Sequence, residues 1–312
     1  LIVYDVEAAR TLYARNAETA LPPASLTKLM TALLALESGR LREAATVREE
    51  DLTGGATMGL VAGETVTVEE LLWGVLLPSG NDAAMTMARH LGGDASSFVA
   101  EMNRRAAELG MDATNFHNPH GLHEEGHVSS AADLMNIALA LLEYPLFREI
   151  MGSRTAEIAG RTLVNTNELL GGYPGANGVK TGTTPEAGEC LIASIETDGH
   201  EALILVLGSS DRYGDVQKLH ALYQANYIWA EGDGRSLSVL NRLYDADGEL
   251  TSLLVEGEPA SVLLHRWGDP EMIGFRRIDR FAEEDALDTD TAGSVEWRVG
   301  DSIAGVQELA MR

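Results

Sequence analysis

Residues 23–31 read Pro23-Ala24-Ser25-Leu26-Thr27-Lys28-Leu29-Met30-Thr31, and this stretch indicates both the fold and the chemistry of the chain. A helical pattern of apolar residues runs from about Ser25 to Glu37, with proline before it and Gly39 after it, as is typical of helix boundaries. Side chains three residues apart on a helix share a face, with β-carbons about 5–6 Å apart. We therefore expect the Lys28 amine to reach the Ser25 oxygen.

A serine paired with a lysine predicts nucleophilic catalysis, provided that the lysine can lose its proton. The Ser25 hydroxyl is a poor nucleophile until a base removes its proton, and a neutral amine is such a base. An ordinary lysine titrates near pH ~10.4, so holding it neutral at pH 7 costs roughly 4–5 kcal/mol unless burial or a second cation lowers its pKa. Arginine would not serve, because it keeps its proton in proteins.

Two further motifs supply polar groups for the same site. Ser79-Gly80-Asn81 lies at a predicted turn between two helices, where its hydroxyl and amide would bridge two lysines and hold a substrate amide. Lys180-Thr181-Gly182 lies just before a predicted strand, and it offers a second cation and a glycine that lets a substrate backbone approach. Each motif alone also fits a helix start, a surface amine or a simple turn. All three in this order favour a catalytic site.

The pattern around these motifs predicts a sheet built from both ends of residues 1–232, with helices inserted between them. The predicted strands are the hairpin Leu1–Ala14 and the runs Cys190–Ile195 and Ala202–Leu207, and a closing helix is predicted over Val216–Trp229. Helices are predicted over Ser25–Glu37, Val68–Leu77, Asn81–Leu91 and Ala131–Leu142, and around the apolar face formed by Phe98, Met102, Ala106 and Leu109. The segment Asn115–Ser130 is predicted to be a loop.

Residues 235–312 predict a separate small β domain. The predicted strands are Leu237–Tyr244, Leu250–Val255, Ser261–His265, Met272–Ile278, Val295–Val299 and Val306–Ala310, with turns such as Asp245–Gly248 between them. The acidic run Glu283–Asp290 is interpreted as a solvated loop.

Composition excludes several classes of protein. The 312 residues are 45% hydrophobic, which excludes wholesale disorder, and the formal net charge of −25 argues against nucleic acid or an anionic membrane as a partner. A single cysteine, Cys190, excludes a disulfide framework. No apolar run reaches the ~18–20 residues of a membrane-spanning helix. The string His123-Glu124-Glu125-Gly126-His127 matches a zinc-protease motif, but Gly126 and the preceding Pro119 argue against the helix that such a site needs, so we expect no metal.

The ordered motifs resemble those of the low-molecular-mass penicillin-binding proteins, the serine-type D-alanyl-D-alanine carboxypeptidases. The likeness extends over about residues 1–230 in the phrases Pro23–Thr31, Leu77–Ala84, Asn118-Pro119-His120-Gly121-Leu122, Gly178–Thr184 and Ala187–Leu191. It implies an α/β fold of the penicillin-binding and β-lactamase-like transpeptidase type, with residues 235–312 as a β-rich appendix. It implies no cofactor.

The resemblance also implies a role for each motif residue. Ser25 would attack the carbonyl between two terminal D-alanines of a peptidoglycan pentapeptide and form an acyl-enzyme, with Lys28 as the base, Ser79 as a proton relay to Lys180 and the leaving amine, and Asn81 holding the penultimate amide. The backbone N–H groups of Ser25 and Thr183 would form the oxyanion hole. Lys180 and Thr181, beside Gly182, would bind the terminal carboxylate, with Arg212 as an accessory cation. Threonine at position 183, where the family often carries histidine or an aromatic residue, leaves the substrate contacts there open.

The same resemblance implies partners and a location. Penicillins and other β-lactams should acylate Ser25, because their strained amide imitates the dipeptide. The family works outside the bacterial cytoplasm, in the periplasm or at the cell surface, and is often held by a C-terminal amphipathic helix. We therefore expect any membrane attachment to use a segment outside this chain, and we expect the same of a signal peptide.

Two alternatives to a carboxypeptidase also fit these motifs. A β-lactamase shares the acylation apparatus but needs a second base for rapid deacylation, and the glutamates between the second and third motifs are Glu157 and Glu168, without the expected pattern around them. A non-catalytic peptidoglycan-binding protein would keep the fold, although the intact set of Ser25, Lys28 and Lys180 argues against it.

Overall fold

The computed structural model describes residues 1–237, 242–244, 250–278 and 291–311. The chain divides into two compact units, residues 1–221 and 222–312, and each is described by itself. The predicted turn Asp245–Gly248, half of the predicted strand Leu237–Tyr244 (residues 238–241) and the whole of the predicted acidic loop Glu283–Asp290 lie outside the described residues.

The helices and strands alternate along the chain as follows. The helices are α1 (Lys28–Glu37), α2 (Val68–Leu76), α3 (Asn81–Gly92), α4 (Ala95–Glu108), α5 (Ala131–Leu142), α6 (Pro145–Gly152) and α7 (Arg212–Asn226). The strands of the first unit are β1 (Ile2–Asp5), β2 (Arg10–Ala14), β3 (Ala44–Thr46), β4 (Thr65–Thr67), β5 (Thr155–Ile158), β6 (Arg161–Val164), β7 (Ala176–Thr184), β8 (Gly188–Thr197) and β9 (His200–Ser209). Those of the second unit are β10 (Tyr227–Gly232), β11 (Arg242–Tyr244), β12 (Leu250–Glu256), β13 (Ala260–His265), β14 (Met272–Ile278), β15 (Thr291–Val299) and β16 (Ser302–Met311).

The main sheet of the first unit joins the two ends of that unit. Its strand order is β2-β1-β9-β8-β7, and every neighbouring pair is antiparallel. Strand β1 pairs with β9, where Ile2 lies opposite Leu205. The helices α1 to α6 lie between these strands in the sequence, so the helical part is an insertion into the sheet, as the sequence predicts.

Helix α1 is the centre of the apolar core. All nine residues from Lys28 to Leu36 are buried, since the helix carries leucine, methionine and alanine on every side. Burying each leucine contributes roughly 1.5–3 kcal/mol. The first residue of this buried helix is Lys28, so the core itself places the lysine amine in a dry environment.

The described residues of the second unit are mainly strands, besides the end of α7 and one turn of 3-10 helix at Gly234–Leu237. A five-stranded sheet has the order β11-β12-β16-β15-β14, and β10 pairs with β13. Leu253, Val295 and Leu309 form the buried centre of the larger sheet.

Two sequence predictions are misplaced, and several short elements were not predicted. The closing helix ends at Asn226, and Tyr227–Trp229 belong to β10, because a short apolar run fits a strand as well as a helix. Lys180-Thr181-Gly182 lies inside β7 and not before a strand. Helix α6 and the small hairpins β3–β4 and β5–β6 were not predicted, since each is too short to show a clear period.

Candidate active site

Ser25 and Lys28 lie at the junction of a short turn and the central helix. Residues Ala24–Thr27 form one turn of 3-10 helix, which runs directly into α1. Ser25 is partly exposed, whereas Lys28 is completely buried. The Lys28 Nζ atom lies 3.0 Å from the Ser25 Oγ atom, which is the contact expected from their spacing.

The Lys28 amine has two further partners, and both of them can only accept hydrogen bonds. Its Nζ atom lies 2.7 Å from Asn81 Oδ1 and 2.7 Å from the backbone oxygen of His120. A neutral amine has two N–H groups and one lone pair. Because the two oxygens take both N–H groups, the lone pair of a neutral Lys28 faces the Ser25 hydroxyl. The amine is thus held in the orientation in which it accepts the serine proton.

The environment of Lys28 favours that neutral form. Burial lowers the pKa of Lys28 well below its usual value, and the nearby charge of Lys180 lowers it further, while Asp82 acts in the opposite direction. Both effects destabilise the charged form of an amine. The burial and second cation that the sequence analysis required are therefore both present.

The loop that follows α4 supplies the His120 carbonyl. Asn118 Oδ1 accepts hydrogen bonds from the backbone N–H groups of Gly121 and His120, at 2.7 and 3.3 Å, which closes a tight turn. Gly121 has a φ of +87°, and a Cβ there would lie 1.9 Å from the oxygen of Ala24. Only glycine allows this approach, and it brings the loop onto the turn that carries Ser25.

The second motif brings Asn81 to Lys28 but leaves Ser79 without a hydrogen bond. Asn81 begins α3, and its Nδ2 atom donates to the Gly54 oxygen at 2.7 Å. Ser79 is 5% exposed, has a φ of +63°, and its Oγ atom has no hydrogen-bond partner among the described residues. In this conformation Ser79 therefore does not bridge Lys28 and Lys180.

The buried carboxylate of Asp82 fixes the segment that passes Asn81. Asp82 is 2% exposed and accepts from five donors, namely the Thr57 hydroxyl and the backbone N–H groups of Met58, Gly59, Leu60 and Ala83. The Asn81 N–H also donates to the Ala56 oxygen at 2.8 Å. Residues 54–60 are thereby held beside the amide of Asn81.

The third motif lies on β7, against the 3-10 turn Ala24–Thr27 that carries Ser25. A Cβ on Gly182 would lie 3.0 Å from the Ser25 nitrogen, so this strand passes the turn closely enough that any larger residue would crowd it. Lys180 is 1% exposed, and burial together with the charge of Arg212 lowers its pKa to about 7. The Thr181 hydroxyl lies 2.6 Å from that of Thr166, and Thr183 is exposed.

Arg212 is held by the strands and does not extend freely into solvent. Its Nη1 atom donates to the oxygens of Gly182 and Cys190, at 3.0 and 3.2 Å. Its Nε atom lies 3.6 Å from Glu189 Oε2, and only 14% of the side chain is exposed. The guanidinium thus joins β7 to β8, and its charge acts on Lys180.

The residues of the zinc-protease string do not form a helix. His123 to His127 lie in an irregular segment with a turn, and both ring nitrogens of His127 are hydrogen-bonded within the protein. Among the described residues, no cluster of three or more histidine, cysteine or carboxylate side chains is arranged to hold a metal ion.

The two glutamates considered as a second base lie in different surroundings. Glu157 is exposed on β5 and accepts from the Thr162 hydroxyl on the paired strand. Glu168 is also exposed, and its backbone N–H donates to the Tyr213 hydroxyl. Within the described residues, neither carboxylate is hydrogen-bonded to Ser25 or Lys28.

Sequence reasoning missed three contributors to this site. The His120 oxygen and the Gly54 oxygen are backbone acceptors, which no side-chain pattern reveals. The Thr166 hydroxyl lies next to Thr181 only because of the fold. Gly121 was the one residue that pointed to this loop, because a glycine within the family phrase Asn118–Leu122 indicates a close approach of the backbone.

A sequence profile of the family described as D-alanyl-D-alanine carboxypeptidase, peptidase S11, matches residues 1–211. The chain belongs to the D-alanyl-D-alanine carboxypeptidase family. Membership in this family confirms the resemblance predicted from the ordered motifs. All of the candidate site residues except Arg212 fall inside the matched region.

Curated relatives and solved structures of the family agree with this assignment. D-alanyl-D-alanine carboxypeptidase DacF of Bacillus subtilis is 39% identical over 254 residues, which make up 74% of this chain and 65% of that protein. The chain therefore spans just under two-thirds of that relative's length. The crystal structure of the Streptomyces K15 DD-transpeptidase is similar with a TM-score of 0.67 at 31% identity, over 72% of this chain and 95% of that chain.

A third member of the family extends the likeness in fold to the whole chain. The D-alanyl-D-alanine carboxypeptidase DacD from Francisella tularensis is similar with a TM-score of 0.70 at 21% identity, over 99% of this chain and 91% of that chain. These structural neighbours confirm the predicted fold class, an α/β penicillin-binding-protein fold with additional C-terminal strands. No helix in the described residues combines the length and the apolar character needed to cross a membrane.

Proposed function

We propose that this chain is a serine-type D-Ala-D-Ala carboxypeptidase, which removes the terminal D-alanine from peptidoglycan pentapeptides through an acyl-enzyme on Ser25. The observation that carries the proposal is the arrangement around Lys28, a buried amine whose two acceptor-only partners direct its lone pair to Ser25 Oγ. The family and the names of its members support the choice of substrate.

The reaction begins when Lys28 takes the Ser25 proton. The Ser25 oxygen attacks the carbonyl carbon between the two D-alanines, and the carbonyl oxygen becomes an oxyanion bound by the N–H groups of Ser25 and Thr183. The carbon–nitrogen bond then breaks, and the leaving amine receives the proton from Lys28. The Ser79 hydroxyl, which is buried and unpaired among the described residues, is the proposed relay for that proton.

Deacylation repeats the same chemistry with water. Lys28 takes a proton from the water, the water oxygen attacks the acyl carbon, and Ser25 leaves with the proton. Asn81 holds the penultimate amide of the substrate. The terminal carboxylate is bound by Lys180 and the Thr181 hydroxyl, beside Gly182, while Arg212 contributes its charge through Lys180.

β-Lactams are the second proposed class of ligand. Their amide occupies the position of the D-Ala-D-Ala bond, so Ser25 is acylated in the same way. The proposed place of work is outside the bacterial cytoplasm, where peptidoglycan lies; membrane attachment and the predicted domain boundary between residues 232 and 235 stay predictions. The large acid excess supports the expectation that nucleic acid is not a partner.

The test combines labelling with a fluorescent penicillin and an assay of D-alanine release from a pentapeptide. We expect the wild-type chain and Ser96→Ala, which changes an exposed serine on α4, to label and to release D-alanine. Ser25→Ala should do neither, and the mass of the wild-type adduct should map to the peptide that contains Ser25.

Two outcomes would contradict the proposal. A Ser25→Ala protein that still labels and hydrolyses would remove Ser25 from the reaction. Rapid steady-state turnover of penicillin without D-alanine release would favour the β-lactamase alternative, and tight binding without a covalent adduct would favour a non-catalytic peptidoglycan-binding protein.

A further inference from the structure

His127 is a buried histidine that the proposed reaction does not use, although it contacts the 3-10 turn Ala24–Thr27 that carries Ser25. It is 2% exposed, and its Nε2 atom lies 2.8 Å from the hydroxyl of Thr27, which stands between Ser25 and Lys28 in the sequence. Thr27 itself is fully buried. The contact between the His127 ring and the Thr27 hydroxyl is therefore enclosed by the protein, next to Ser25 in the sequence.

The hydrogen bonds around His127 fix its tautomer. Its Nδ1 atom accepts the backbone N–H of His117 at 3.0 Å, so the ring proton is on Nε2. Nε2–H therefore donates to the Thr27 hydroxyl, and the Thr27 O–H donates to the oxygen of Ala24 at 2.9 Å. Burial lowers the pKa of His127 to about 4, with smaller effects from His117 and His123, so the ring is neutral at pH 7.

The last acceptor of this chain belongs to the same peptide unit as the Ser25 N–H. In a trans peptide the C=O and the N–H point in opposite directions. The Ala24 oxygen faces Thr27 and Gly121, whereas the Ser25 nitrogen faces Gly182 on β7. Holding the oxygen on one side therefore directs the N–H to the other side, where β7 borders the site.

Two further observations indicate that this peptide is held and does not adopt its orientation by default. Ala24 has a φ of +48°, a left-handed conformation that alanine rarely adopts and that persists only when the surroundings enforce it. Among the described residues, no acceptor receives the Ser25 N–H, so this donor is left available for an incoming oxygen.

We propose that His127 is a positioning residue for the oxyanion hole, which acts through Thr27 on the Ala24–Ser25 peptide so that the Ser25 N–H faces the substrate carbonyl. The inference rests on the proposed function, because that function makes the Ser25 N–H an oxyanion donor. The hydrogen bond on the Ala24 oxygen also polarises the peptide, and this strengthens its N–H as a donor.

The test uses pairs of variants that break or keep each bond of the chain. Thr27→Val and His127→Leu remove the donor to Ala24 and the donor to Thr27, respectively. Thr27→Ser keeps the hydroxyl, and His127→Gln keeps an N–H near the position of Nε2. Ser194→Ala is the control. It removes a buried hydrogen bond from the Ser194 hydroxyl to Glu201, which involves no residue of the Ala24–Thr27 turn.

The measurements are kcat and KM for a peptide ending in D-Ala-D-Ala, the rate of penicillin acylation, and the thermal midpoint of each variant. Complete loss of an oxyanion donor lowers kcat about 10²–10³-fold, so a misdirected donor should lower kcat and the acylation rate about tenfold to a hundredfold. KM should change by less than about threefold, because the oxyanion forms only in the transition state. Thr27→Ser and His127→Gln should recover most of the lost rate.

The combination of single and double variants separates positioning from a general loss of stability. The double variant Thr27→Val/His127→Leu should be no slower than the slower single variant, because both substitutions break one chain. Thr27→Val within about twofold of wild type, or a loss that appears only in KM, would overturn the inference and leave the proposed function standing. A wild-type protein that is not acylated by penicillin would overturn both.

Discussion

Lys180 lowers the pKa of Lys28, although of these two amines only Lys28 contacts Ser25. Both amines are buried, and the charge of Lys180 follows burial as the second cause that keeps Lys28 neutral. Lys180 has a lowered pKa of its own, to about 7, through burial and then Arg212. The site therefore contains three basic side chains that act in series: the charge of Arg212 lowers the pKa of Lys180, and the charge of Lys180 lowers the pKa of Lys28.

The first prediction concerns the base. Lys28→Arg keeps a positive charge but supplies a group that does not deprotonate, so acylation by penicillin at pH 7 should fall about 10²–10⁴-fold. Lys218→Arg is the matched control, because the side chain of Lys218 is 71% exposed, and its rate should equal that of wild type. Acylation by Lys28→Arg within about tenfold of wild type would remove Lys28 as the base.

The second prediction concerns the pH dependence of substrate binding. Lys180 carries a charge below pH about 7 and loses it above that value, so KM for a peptide with a terminal carboxylate should rise between pH 7 and 9. Since the Arg212 charge lowers the pKa of Lys180, Arg212→Gln should move the start of this rise to higher pH. KM profiles that are identical in the two proteins would contradict the proposed coupling.

The third prediction concerns stability. Between pH about 7 and 10.5, the ordinary pKa of a lysine, Lys180 is charged in the unfolded chain and largely neutral in the folded one. The unfolded state then binds more protons, so the free energy of unfolding should rise with pH, with a slope approaching about 1.4 kcal/mol per pH unit from this group. Urea unfolding of wild type and Lys180→Met measures it, as the difference between the two proteins isolates Lys180. A difference that is flat over this range would contradict the lowered pKa.

The fourth prediction compares two glycines with similar backbone conformations. Gly121 has a φ of +87° and no room for a Cβ, whereas Gly39 has a φ of +68° and nothing within 4 Å of one. Alanine costs roughly 1–2 kcal/mol at either position through its backbone conformation. Gly121→Ala should cost more than about 2 kcal/mol beyond that and should also slow acylation, because the Ala24 oxygen must move. Equal losses for the two variants in denaturant unfolding would show that the close approach does not matter.

The fifth prediction concerns the ion pair between Arg89 and Asp51. The Arg89 guanidinium binds Asp51 through Nε and Nη2, and the side chains are 12% and 1% exposed. Arg89→Met leaves a buried, uncompensated carboxylate, so the free energy of unfolding should fall by about 3–5 kcal/mol. Arg104→Met removes pairs in which every partner is at least 44% exposed, and it should cost less than about 1 kcal/mol. If both variants lose the same stability, Asp51 does not depend on Arg89.

The contact between Ser25 and Lys28 could be predicted because it is local. Three residues of helix fix the distance between two side chains, whatever the rest of the fold does. The position of Lys180 inside β7 could not be predicted in the same way, since the segment 176–184 is polar and glycine-rich and is buried only through its contact with another part of the chain. A strand without an apolar pattern gives no periodic signal.

The backbone acceptors were out of reach for a different reason. Every residue carries the same backbone carbonyl, so nothing in the sequence marks the oxygen of His120 as the partner of Lys28. The hydrogen bonds from His127 through Thr27 to the Ala24 oxygen combine both difficulties. They join residues about 100 positions apart in the sequence, and their last acceptor is a backbone carbonyl. Such contacts follow from the fold and become visible only with it.

The pairing of β1 with β9 has a consequence for synthesis of the chain. Ile2 is synthesised before Leu205, its partner in the sheet, which follows only after the whole helical insertion has been made. At about 5–20 residues per second, the N-terminal hairpin waits on the order of 10–40 s without its neighbouring strand. The Ser25 turn waits for β7 over nearly the same time. In a nascent chain that ends before β9, the edge of β1 has no strand to cover it, and β7 and β8 lack the strand that joins them to β1. We therefore expect the proposed peptidase activity to arise only after β9 has completed the sheet.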